Sequence, residues 1–189
     1  MYEHDVMISY RRDGAAVPAW VENHLRPALV ESLADQSLGE VGFYFEPSTA
    51  AEDGFDQALR AFRRSKVLLA VCSPQYFFDE WCLAEWHSMS DREKAAGMPP
   101  SSLTCPVIFC DSKNFPSFAK SIDMHDLKRW NITTPQFKET RAYRGFGDAV
   151  NKIALELVEK IARAPRWSAD WPVDTPAAPE PTPSRVPRY

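Results

Sequence analysis

Four short apolar runs punctuate the chain, at residues 6–10, 41–45, 67–72 and 106–110. They are nearly continuous rather than alternating. That is the pattern of strands covered on both faces of a parallel sheet. Between the runs the apolar positions change to helical spacing. Over residues 17–34, Trp20, Leu25, Leu29 and Leu33 form one stripe. Pro27 lies inside that stretch and predicts a kink or a break, because proline has no N–H to give the preceding turn. Further helices are predicted over 55–64, 78–95 and 146–162. The last carries Ala149, Ile153, Leu157 and Ile161 at successive i+4 steps. Strand alternating with helix implies right-handed crossovers and a doubly wound α/β sheet.

The pattern weakens over residues 111–144, where Phe115, Phe118, Met124, Leu127, Trp130 and Ile132 are irregularly spaced. A short helix and a poor edge strand near 127–132 are expected there. The fifth strand would make a mainly parallel five-stranded sheet with helices on both faces. Residues 1–164 form the expected domain. Residues 165–189 hold 7 of the 16 prolines and read as a flexible, partly polyproline tail or linker. Trp167 and Trp171, at its start, are placed to dock back onto the domain.

A length of 189 residues, 44% of them hydrophobic, supplies a full core without staples. The net charge of −4 leaves no electrostatic footprint for nucleic acid. The densest basic clusters, Arg11-Arg12 and Arg60 with Arg63, Arg64 and Lys66, are short and fit solvated helix ends or loops. No apolar stretch reaches the roughly 18 residues of a membrane span, and Asp5 interrupts any apolar start, so a cytoplasmic protein is expected. Cys72, Cys82, Cys105 and Cys110 form no CxxC pair, and only His87 of the four histidines lies close to one of them, so neither a disulfide nor a metal site is expected. Cys72, Cys105 and Cys110 lie in apolar runs, where a thiol behaves as a small hydrophobe.

In an open α/β sheet, ligands bind beyond the carboxyl ends of the strands. That rule selects residues 9–14, 46–54, 73–80 and 111–114. Trp81 and Glu85 follow the third segment, and at i and i+4 they share one helix face. An indole beside a carboxylate can stack on an aromatic ring and hold a polar group of the same ligand. Cys82 and Trp86, with Phe78, are assigned to the packing side. The chain has no GxGxxG and no GxxxxGK[ST], and its seven glycines form no cluster that could cradle phosphates. It also lacks a GxSxG elbow. A nucleotide would therefore be handled as a substrate in an open cleft.

Several of these segments together resemble the TIR domain, of the bacterial NAD+-cleaving kind. The stretch Asp5-Val6-Met7-Ile8-Ser9-Tyr10-Arg11-Arg12 resembles the first strand and its loop. Residues 46–59 (EPSTAAEDGFDQAL) resemble the family's long loop after the second strand, with Glu46 where many relatives have aspartate. Residues 65–73, Tyr76, and then Trp81-Cys82-Leu83-Ala84-Glu85 resemble the third strand and its WxxxE helix. The resemblance implies a flavodoxin-like fold and a catalytic role for Glu85. It implies NAD+-binding roles for Trp81, Ser9, Tyr10, Arg11, Glu46 and Ser48, with NAD+ as substrate and no cofactor or metal. Implied partners are like TIR domains and a sensor or effector protein, in bacterial immune signalling against phage. The alternative is a TIR–TIR scaffold without activity. A receiver-like domain with the same strand order would need an aspartate ending the third strand, where Ser73 stands.

Overall fold

The computed structural model describes residues 1–36, 41–45 and 54–176. Its five strands are β1 (His4–Tyr10), β2 (Phe43–Tyr44), β3 (Ser65–Cys72), β4 (Thr104–Ile108) and β5 (His125–Asp126). All pair in parallel, in the order β2-β1-β3-β4-β5. This is the flavodoxin-like doubly wound arrangement. The register sets Ile8 beside Leu69 and Tyr10 beside Val71.

Successive residues of β3 alternate between the two layers. Val67, Leu69 and Val71 face α1 (Ala16–Trp20), α2 (Arg26–Gln36) and α6 (Ala142–Arg163). Leu68, Ala70 and Cys72 face α3 (Gly54–Arg63), α4 (Glu80–Ala95) and the short α5 (Ser117–Lys120). Both faces of the central strand are therefore sealed, as its unbroken apolar run requires.

The break expected at Pro27 takes a specific form. The helix does not end there. A π turn, Val21–Leu25, joins α1 to α2. Pro27 cannot donate to the carbonyl one turn back, and the wider i→i+5 turn just before it absorbs the mismatch. The weakly patterned region also has a cause. Trp20 Nε1 donates to the Trp130 carbonyl at 2.8 Å, and the His24 ring bonds the Thr134 carbonyl at 3.0 Å. Phe137 and Phe146 pack on these rings. Irregular turns over Lys128–Trp130 and Pro135–Glu139 thus cap the core through aromatics rather than through a periodic stripe.

The edge strands are shorter than expected. β2 pairs only at Phe43 and Tyr44. The fifth strand sits at His125–Asp126, not 127–132, and the Leu127 amide adds one further ladder bond to the Ile108 carbonyl at 3.0 Å. Beyond it the chain turns away into Lys128–Trp130.

After α6 the chain crosses to the opposite layer. Ala164 and Val173 pack with Met7, Phe62, Leu68, Met89 and Leu103. Trp167 Nε1 donates to the Arg63 carbonyl at 3.3 Å, and the Asp174 amide donates to Ser88 Oγ on α4 at 2.7 Å. Arg92 lies buried beneath this strap, donating to the Ser65 carbonyl at 2.7 Å, with its guanidinium 6.0 Å from the Trp171 ring. Trp167 and Trp171 dock as their position suggested.

Candidate functional site

β1 and β3 are neighbours, but the chain leaves them toward opposite layers of the sheet. A crevice opens between such strands at their carboxyl ends. The loop after β1 supplies one wall. The turn after β3 and the start of α4 supply the other.

That second wall is built by two caps. Ser73 Oγ accepts from the Tyr76 amide at 3.2 Å, and Pro74 opens the short turn Pro74–Phe78. Asp79 then adopts an extended backbone (φ −88°, ψ 120°) and starts α4, its Oδ1 accepting from the Trp81 and Cys82 amides at 3.0 Å each. This cap fixes the phase of the helix. Trp81 and Glu85, one turn apart, both line the crevice. Trp86 turns inward against Tyr76 and Phe77.

The crevice measures about 150 Å³ and is lined by Tyr10, Arg12, Asp13, Asp79, Trp81, Cys82 and Glu85. Glu85 is only 4% exposed, unlike an ordinary helix carboxylate. Arg12 Nη2 stands 3.4 Å from Glu85 Oε1, a long contact for such a pair. Trp81 is half-buried. Tyr10 stacks on Phe45 with ring centroids 5.8 Å apart. Burial pushes the Cys82 thiol well up, and the neighbouring carboxylates of Glu85 and Asp79 push it further, so a reactive thiolate is disfavoured.

The residues expected from sequence divide into three groups. Glu85, Trp81 and Tyr10 converge on the crevice. Ser9 does not line it. Its buried hydroxyl shares a 2.9 Å hydrogen bond with Tyr76 Oη, tying the end of β1 to the turn after β3. Arg11 does not line it either, and Arg12 occupies the place facing Glu85. Glu46 and Ser48 lie outside the described residues. Phe78, expected on the packing side with Cys82 and Trp86, is 82% exposed. It precedes the Asp79 cap, so the helical phase does not extend to it. Asp79 carried a findable signal, an aspartate directly before a helical run.

A family model for the TIR domain matches residues 6–140. The chain belongs to the TIR-domain family. The match spans β1 to the turn before α6 and includes every crevice residue. It places the chain among TIR-domain signalling modules. A probable carboxypeptidase of Arthroderma otae is 26% identical over 148 residues. That alignment covers 78% of this chain and 31% of the relative, so the chain spans about a third of that protein's length. The TIR domains of the activated Roq1 resistosome, which directly recognises the pathogen effector XopQ, match at 13% identity with a TM-score of 0.39. That alignment covers 81% of this chain and 84% of the resistosome chain. Among the described residues, no helix is long and apolar enough to cross a membrane.

Proposed function

We propose that this TIR domain cleaves the nicotinamide–ribose bond of NAD+, as a step in bacterial immune signalling against phage. The observation that carries the proposal is Glu85, a buried carboxylate on the floor of the crevice at the β1/β3 switch point, with Trp81 one turn before it. A carboxylate kept from water yet open to a crevice suits a developing positive charge. Solvent there does not screen it.

The chemistry asked of the site is modest. Nicotinamide joined through its ring nitrogen is already a cationic leaving group and needs no proton. The C1′–N bond breaks with its electron pair passing to the ring nitrogen, and an oxocarbenium-like ribose develops. Glu85 binds the ribose hydroxyls and stabilises that charge. Trp81 bounds the nicotinamide ring. Arg12 trades its long contact with Glu85 for the substrate's phosphate. Water adds to C1′ and loses a proton to solvent, giving ADP-ribose. Attack by the adenine of the same molecule would give a cyclic isomer instead.

The crevice among the described residues holds about 150 Å³. Small-molecule sites usually span roughly 300–1,000 Å³. This shortfall supports a site completed by assembly, in which a second TIR domain supplies the missing wall and orients the substrate. The test is the purified chain incubated with NAD+, with and without a crowding agent, over a dilution series, with nicotinamide release followed by chromatography. Activity per molecule should rise with concentration. No nicotinamide release under any condition supports the scaffold alternative. Release that is flat across the series, from protein that sizes as a monomer, removes the assembly step.

A further inference from the structure

A second cluster lies at the opposite end of the sheet, near the amino ends of β4 and β5. The register places Val107 beside His125, so Cys105, two residues before Val107, projects toward α6 on the same side of the sheet as His125. Glu156 comes down from α6 between them. No two of the donor atoms, Cys105 Sγ, a His125 ring nitrogen and a Glu156 carboxylate oxygen, are more than 4.8 Å apart. Cys105 is fully buried, while His125 and Glu156 are half-buried. A cavity of about 470 Å³ opens beside them, lined in part by Ser101, Asp123, Met124, His125, Glu156 and Lys160.

We propose that Cys105, His125 and Glu156 form a Zn2+ site, with its fourth position open to this cavity. The donor set is one thiolate, one imidazole and one carboxylate. Three protein ligands of these kinds with an exchangeable fourth position suit zinc better than the oxygen-seeking Mg2+ or Ca2+. Zinc bond lengths of roughly 2.0–2.3 Å in a tetrahedron put donor atoms about 3.3–3.6 Å apart, so modest side-chain shifts complete the geometry. The outer partner is also in place. Lys160 Nζ holds Glu156 Oε1 at 3.2 Å, which leaves Oε2, now 2.6 Å from His125 Nε2, as the ligand oxygen. The metal takes the place of the proton shared between His125 and Glu156. Binding releases the Cys105 thiol proton and any proton on the His125 ligand nitrogen. In the metal-free chain, burial and the nearby Glu156 push the Cys105 thiol well up, so the cation itself makes the thiolate accessible. Zinc here joins β4, β5 and α6, far from Glu85. It does not depend on the NAD+ proposal.

The test uses the full chain stripped with a chelator and then titrated separately with Zn2+ and Co2+. About one Zn2+ per chain should bind and raise the melting temperature, and chelator should reverse the rise. Co2+ should give a thiolate-to-metal charge-transfer band and the intense visible bands of a tetrahedral site. Cys105→Ser should abolish the charge-transfer band. His125→Gln and Glu156→Gln should each weaken Zn2+ binding by about tenfold or more. Cys110→Ser, five residues along the chain and just past the carboxyl end of β4, should bind as the parent does. No saturable Zn2+ binding overturns the site. So does a wild-type Co2+ spectrum without a charge-transfer band, or Cys105→Ser protein that keeps that band. Circular dichroism reports whether each variant folds. If Cys105→Ser does not, the wild-type Co2+ spectrum and His125→Gln decide the question.

Discussion

The two ends of the sheet each hold a carboxylate facing a basic group, and they treat it differently. At the carboxyl end, Glu85 has Arg12 at 3.4 Å and an open crevice in front of it. At the amino end, Glu156 has His125 at 2.6 Å and Lys160 at 3.2 Å, one on each oxygen. The His125 hydrogen bond, aided by Lys160 and opposed by burial, holds the Glu156 carboxyl down at about 2. In the metal-free chain Glu156 is committed to fastening α6 onto the edge of the sheet. Glu85 is sheltered and lines the open crevice, where a ligand can meet it. Partner distance and burial separate the two: Glu85 is buried with a long ion-pair contact, whereas Glu156 is half-buried with a short one.

The largest expected effect is at Glu85. Glu85→Gln should lower NAD+ cleavage by about a hundredfold or more, the scale of losing one positioned electrostatic stabiliser. Its melting temperature should stay within about 2 °C of the parent, because glutamine keeps the side chain's size and one carbonyl oxygen, and the lost Arg12 ion pair is long. Full turnover, or a collapse in stability, would erase the contrast with Glu156. Next is Arg12→Met, for which kcat/KM should fall about tenfold, mainly through a higher KM, if the guanidinium hands over to a phosphate. A change in kcat alone would make Arg12 an orienter of Glu85 instead.

Glu156→Gln, assayed in chelator, should cost under about 1 kcal/mol at neutral pH, because the pair is partly exposed and screened. That corresponds to a fall of at most about 2–4 °C in melting temperature. The folded carboxyl titrates near 2, below its ordinary 4.5. The stabilisation is therefore present above about pH 4.5 and fades as the pH falls toward 2. Melting curves of parent and variant should converge over that window. A gap that persists at pH 2 would assign the effect to packing. The smallest change is expected for Arg11→Ala, which should leave kcat/KM within about twofold, since Arg11 does not line the crevice.

Much of the architecture is legible along the chain. Residues 6–10 and 67–72 announce buried strands because both faces of each are covered, and 106–110 does so two residues late, since β4 is Thr104–Ile108. The run 41–45 announces β2 at greater length than the two residues that pair, and β5 is misplaced because it too pairs over two residues and His125 and Asp126 are polar. Trp81 and Glu85 are readable because one helical turn places them together. Which arginine faces Glu85 is not readable, because a one-residue difference depends on how the backbone leaves Tyr10. The Cys105, His125 and Glu156 cluster is hidden for a related reason. His125 and Glu156 stand 31 positions apart, and only the β4/β5 register with the seating of α6 joins them to Cys105. Phe78 misled because periodicity runs through a cap that only backbone geometry reveals.

The strap after α6 also has a mechanical meaning. Asp174 grips Ser88, one turn beyond Glu85 on the same rigid helix. Force reaching Asp174 passes through this grip into α4 as a pull along its flank, toward the Glu85 end of the crevice, so the helix is a lever as well as a wall.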